Sequence, residues 1–196
     1  MSLRLPSSSA NGWRLAPVEP PHAPLFCFAL LTVSCALASF ALACATPFAA
    51  FAVVAAAMLP LRSAVLVVAG AWLVNQGIGF GALHYPIKGN TMLWGLAIGL
   101  AALAATAISV AVLRSLAQGR TPLVLALGLV LAVACAFTAY ELVLLAATPF
   151  LGGAGAFTTA TVSRIGFLNA VWLIGLVVAC EIVQLVNPFK RGHVVS

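Results

Sequence analysis

Six apolar stretches separated by short polar punctuation organise this chain. Residues 1–23 are rich in Pro and Ser, carry Arg4 and Arg14, show no helical periodicity and read as a flexible arm. An almost unbroken apolar run then extends from residue 24 to residue 61. A membrane span needs about 20 residues, so this run is too long for one helix and slightly short for two. Pro47 divides it into a full first helix from Pro24 to about Thr46, a tight turn at Thr46-Pro47, and a short second helix to about Leu59. Pro60-Leu61-Arg62 makes the next turn.

The third helix is predicted from Ser63 to about Gly81, followed by a Pro-, Gly- and Asn-containing loop, His84 to Asn90. The fourth runs from Thr91 to Leu113 and the fifth from Pro122 to about Ala147, with Pro at the favourable first helical position. A Gly- and Thr-rich connection, residues 148–163, leads to a sixth helix from Arg164 to Val186 that stops at Asn187-Pro188. The expected fold is an all-α integral membrane bundle of about six transmembrane helices over residues 24–187, with a basic tail at 188–196.

Composition strengthens this reading. Of 196 residues, 64% are hydrophobic and only 6% charged, with a mean hydropathy of +1.18. A soluble domain carries about a quarter charged residues, so lipid is the expected solvent. The net charge of +6 does not indicate nucleic acid, because the basic residues are scattered at the edges of apolar segments. With six helices and both termini cytoplasmic, the inner segments carry Arg4, Arg14, Arg62, Arg114, Arg120, Lys190 and Arg191, and the outer ones only Lys88 and Arg164. Counting residues 24–61 as one span blurs that bias, so six helices in the cell (inner) membrane is preferred. Ala43-Cys44-Ala45 resembles a signal-peptidase site, but the preceding apolar run is too long for a typical signal segment.

Polar residues inside spans mark function by default. In this topology Asn75 and Gln76 on helix three, Trp94 on helix four, Glu141 on helix five and Asn169 on helix six all fall in the outer third, beneath loops carrying His84 and Tyr85. Such clustering predicts a small-molecule cavity lined by Asn75, Gln76, Tyr85, Trp94, Glu141 and Asn169. Thr138, Glu141 and Thr148 lie close to one helix face. Arg164, at a depth comparable to Glu141, is its expected ion-pair partner. Glu181 and Gln184 lie near the inner end.

Enzymatic chemistry has no visible basis. The five cysteines (Cys27, Cys35, Cys44, Cys135 and Cys180) stand singly in apolar runs, and His84 has no second histidine or acidic cluster nearby. No nucleophile–base pair or phosphate loop appears, and no metal or cofactor is expected. Small residues recur at four-residue spacing: Gly95 and Gly99 on helix four, and Ser34/Ala38 and Ser39/Ala43 on helix one.

Six short helices, inside termini, a small-residue first helix and polar outer ends on helices three to six together resemble the substrate-binding subunits (S-components) of energy-coupling-factor vitamin transporters. The resemblance covers nearly the whole chain and rests on architecture. It implies capture of a vitamin or related small solute from the outer side, using the outer loops and helices four to six. It also implies docking of helix one, through Ser34, Ala38 and Ala43, onto a transmembrane coupling subunit that carries paired ATPases. The chain lacks the N-terminal histidine motif of the metal-ion members, which disfavours nickel or cobalt ion. In corrinoid binders of this type a cysteine can meet the cobalt, and Cys44 is the one cysteine at an outer end. The competing expectation is a membrane scaffold or assembly subunit whose polar residues only hold helices together.

Overall fold

A computed structural model describes residues 15, 17–42, 45–116 and 122–186. Among these residues the architecture is wholly helical. The α-helices are α1 (Ala23–Leu42), α2 (Phe48–Met58), α3 (Leu61–Gly77), α4 (Gly89–Ser115), α5 (Pro122–Leu151) and α6 (Thr159–Val186). A π-helical turn, Ile78–Ala82, extends α3, and a short 3-10 turn, Ala154–Ala156, lies between α5 and α6. Five of the helices, all but α2, are long and apolar enough to cross a membrane. Their outward surfaces carry large apolar side chains, among them Leu66, Leu100, Leu142, Phe167 and Ile174. This is the build of a multi-pass membrane protein.

The expectation of about six transmembrane helices is corrected at α2. Its eleven residues rise about 16 Å, half of a hydrocarbon core of about 30 Å. Every one of them is buried, and the helix is apolar on all sides, the signature of a core helix. Six of its eleven residues are alanine, which lets α1, α3, α4, α5 and α6 all pack on or beside it. The larger side chains key into neighbours: Phe48 stacks on Tyr140 of α5, and Phe51 meets Trp172 of α6 edge-on, with ring centroids 6.2 Å apart.

A helix that ends inside such a bundle must find partners for its terminal backbone groups. At the start of α2, the Phe48 N–H donates to the Thr46 carbonyl and the Ala50 N–H donates to the Asn169 side-chain oxygen at 3.0 Å. At its far end the Leu15 N–H donates to the Ala57 carbonyl at 3.1 Å. Leu15 and Pro17 are buried, so this part of the presumed flexible arm is packed structure. It closes the end of the bundle where α2 gives way to α3.

Two boundaries move for local chemical reasons. α5 continues through Pro149 to Leu151, beyond the expected end near Ala147. Proline cannot donate to the carbonyl four residues back, and that carbonyl, Leu145, accepts instead from the Thr148 hydroxyl at 2.7 Å. Gly152 and Gly153 then turn the chain with φ of 77° and 85°, a left-handed conformation that favours glycine. α6 begins at Thr159, five residues before Arg164, because the Thr158 hydroxyl caps it by accepting from the Thr161 N–H.

Candidate ligand-binding site

Three connections meet at one end of the bundle: residues 45–47, 83–88 and 152–158. Trp94, in the second turn of α4, lies between them. Its indole ring passes Gly153, where an added Cβ would sit 3.3 Å from the ring. Two adjoining cavities open beside this tryptophan and share Trp94 and Ile98 as walls.

The larger cavity, about 310 Å³, lies under the 152–158 connection. Its walls are Thr46, Ile98, Tyr140, Glu141, Leu144, Phe157, Thr161, Val162 and Ile165, together with Trp94 and small residues of the connections. It lies between α5 and α6, where α5 packs extensively on α4 but only sparsely on α6. Glu141 is half-buried and is the one charged side chain in the lining. Among the described residues it has neither a hydrogen-bond nor an ion-pair partner.

The smaller cavity, about 120 Å³, is walled by Phe48, Asn75, Gln76, Gly79, Phe80, Tyr85, Thr91, Gly95, Trp94 and Ile98. The π-helical turn shapes it. The Leu83 N–H donates to the Ile78 carbonyl and the Tyr85 N–H to the Gly79 carbonyl, folding the Tyr85 ring back over Gly79. His84 turns away with a positive φ of 53° and is exposed.

Of the six residues expected to line a site, the structure brings five to these two cavities. Asn75, Gln76 and Tyr85 wall the smaller, Glu141 the larger, and Trp94 both. Asn169 lies apart from both. It is only 2% exposed, lines neither cavity, accepts from the Ala50 N–H and donates to the Ile165 carbonyl. Its polarity serves the buried start of α2. Asn75 is also largely committed to the fold. Its amide donates to the hydroxyls of Ser39 at 2.9 Å and Thr46 at 3.0 Å, and its oxygen accepts from the Gln76 amide at 3.2 Å. The knot ties α1, α3 and the α1–α2 connection together at one depth.

The expected Glu141–Arg164 ion pair does not form. Depth was read correctly: Phe137 of α5 packs on Gly166 of α6, so Glu141 lies level with Val162. Azimuth defeats the pair. Thr161, Val162 and Ile165 share the inward face, and Arg164 lies about 100° further around the helix, where it is exposed. Thr138 and Thr148 do not join Glu141 either, because their hydroxyls donate to the Ala134 and Leu145 carbonyls of their own helix.

The small-residue pairs also find internal uses. Gly95 and Gly99 of α4 accept side chains of α3. The Trp72 indole N–H donates to the Gly95 carbonyl at 2.9 Å, the Trp72 ring lies where a Cβ on Gly99 would be (2.7 Å), and the Gln76 amide fills the place of a Cβ on Gly95. Ser34 and Ala38 are buried within the bundle, so the proposed docking stripe on α1 is not an outward face. Ala43 and Cys44, named for docking and for corrinoid contact, lie outside the described residues.

Sequence reasoning missed Tyr140, Leu144, Phe157, Thr161, Val162 and Ile165. Apolar residues in an apolar chain carry no signal of which face meets a cavity. The Thr158-x-x-Thr161 cap was the one readable clue, since it places Thr161 and Ile165 on an ordered helix beside the opening. Comparisons with protein-family models, curated proteins and solved structures found no match to this chain.

Proposed function

We propose that this chain binds a small solute in the cavities beside Trp94, from the outer side of the membrane, for uptake. The observation that carries this reading is the 310 Å³ cavity with a carboxylate, unpartnered among the described residues, in a largely apolar wall. That volume lies at the lower end of the range for small-molecule sites, and apolar walls with a few polar groups are their usual lining. Although α2 is short, it carries the chain back to where Leu15 meets Ala57, so the alternation behind the basic-residue count is kept, and that count favours the outer side for this end of the bundle. Movement of the 152–158 connection over a bound solute would exclude water and strengthen its polar contacts. The resemblance to vitamin-capturing S-components agrees in the placing of the site, and the cavity is too small for a whole corrinoid.

The scaffold reading has specific support in Asn169 and Asn75, whose hydrogen bonds hold helices together. It offers no use for the cavity or for Glu141. The deciding experiment is thermal melting of the purified protein with cobalamin, thiamine, riboflavin and biotin in turn. One member should raise the melting temperature, and Val162→Trp, which fills the larger cavity, should abolish the rise. A panel without effect would favour the scaffold.

A further inference from the structure

We propose that the solute is an organic cation with a flat apolar body and one positively charged nitrogen, for which Glu141 is the counter-ion. This inference rests on reading the larger cavity as a solute site. Among the described residues no Lys, Arg or His lines that cavity, and Arg164, the nearest base in sequence on α6, is exposed on another face. The Glu141 carboxylate therefore meets no internal cation among the described residues. A carboxylate held in apolar surroundings costs free energy, which an ion of opposite sign offsets when it arrives.

The rest of the wall suits the same guest. Trp94, Tyr140 and Phe157 stand around the cavity with Glu141, and aromatic faces attract cations through their quadrupole. An anion is disfavoured by the carboxylate and finds no cradle in exchange. The positive end of α2 is close by at Thr46, but the N–H groups of Phe48, Ala50 and Phe51 are already bonded to Thr46, Asn169 and Pro47. The wall offers few polar groups beside Glu141, chiefly Thr46 and Thr161, amid Ile98, Leu144 and Val162, so the charge should be carried on a largely aromatic or aliphatic body.

The test uses the purified full chain with thiamine and benzyltrimethylammonium as cations, riboflavin and benzyl alcohol as neutral probes, and biotin and phenylacetate as anions. Melting shifts and equilibrium dialysis supply two readouts. The cations should bind and the others should not. Glu141→Gln, which keeps the shape and hydrogen-bonding capacity but removes the charge, should weaken cation binding roughly ten- to a hundredfold. Glu141→Asp should retain part of it. Neutral or anionic binding that Val162→Trp abolishes and Glu141→Gln leaves intact would overturn the cation assignment while the solute site stands. No binding by any probe, or binding indifferent to Val162→Trp, would overturn both.

Discussion

Asn169 and Glu141 are two costly polar side chains with opposite fates. Asn169 spends its amide on the Ala50 N–H and the Ile165 carbonyl, whereas Glu141 has no such partner among the described residues. Asn169→Leu should therefore destabilise the bundle by about 1–3 kcal/mol, because it orphans a buried backbone donor. Asn169→Gln, which keeps both the acceptor and the donor on a longer side chain, should recover part of the loss in a detergent melt. Arg164→Ala should melt like the parent protein, since its guanidinium is exposed and pairs with nothing at Glu141. A large drop for Arg164→Ala, rescued by exchanging the two charges, would restore the ion pair that the structure denies.

At the scale of elements, proline and glycine act through their neighbours. The Leu145 carbonyl, left without its helical donor by Pro149, depends on the Thr148 hydroxyl. Thr148→Val should destabilise by about 1 kcal/mol or more in the parent, and by less in a Pro149→Ala background, where the helix supplies its own N–H. The difference between the two melts measures the coupling. On α4, Gly99→Ala puts a methyl 2.7 Å from the Trp72 ring. The ring must shift and its bond to the Gly95 carbonyl weaken, at a cost of about 1–3 kcal/mol typical of overpacking. A change in Trp emission should accompany the lower melting temperature.

For the whole molecule, the central question is how a half-length helix survives in the middle of a membrane bundle. α2 is surrounded by protein rather than lipid, and both of its ends are tied by residues distant in sequence: Asn169 at the start and Leu15 at the finish. Replacing Leu15 with Asp should lower thermal stability by several kcal/mol, since it puts a charge at a buried position (6% exposed). Orientation is tested separately. A periplasm-active reporter should be active when fused after Lys88 or Gly153, and inactive after Arg62, after Gln118 and at the C-terminus. Activity at the C-terminus would invert or discard the topology drawn from the basic residues.

Hydropathy and punctuation alone determined the membrane class, the number of helical segments and the short second helix, because crossing lipid imposes a length and an apolar composition on each segment in isolation. Depth was equally readable: 1.5 Å per residue from a recognisable turn placed Asn75, Gln76, Trp94 and Glu141 at one end, where the structure finds them. Azimuth was not. In a chain whose helices are apolar all round, no periodic stripe marks which side meets a neighbour, so Arg164, Ser34 and Ala38 were each given a facing that packing reversed. Only the tertiary structure decided that α2 is enclosed, that Asn169 holds it there, and that the sparse packing of α5 on α6 leaves Glu141 beside an open cavity. Those outcomes depend on how six near-uniform surfaces fit together, and the fit is set by small differences in side-chain volume spread across all of them.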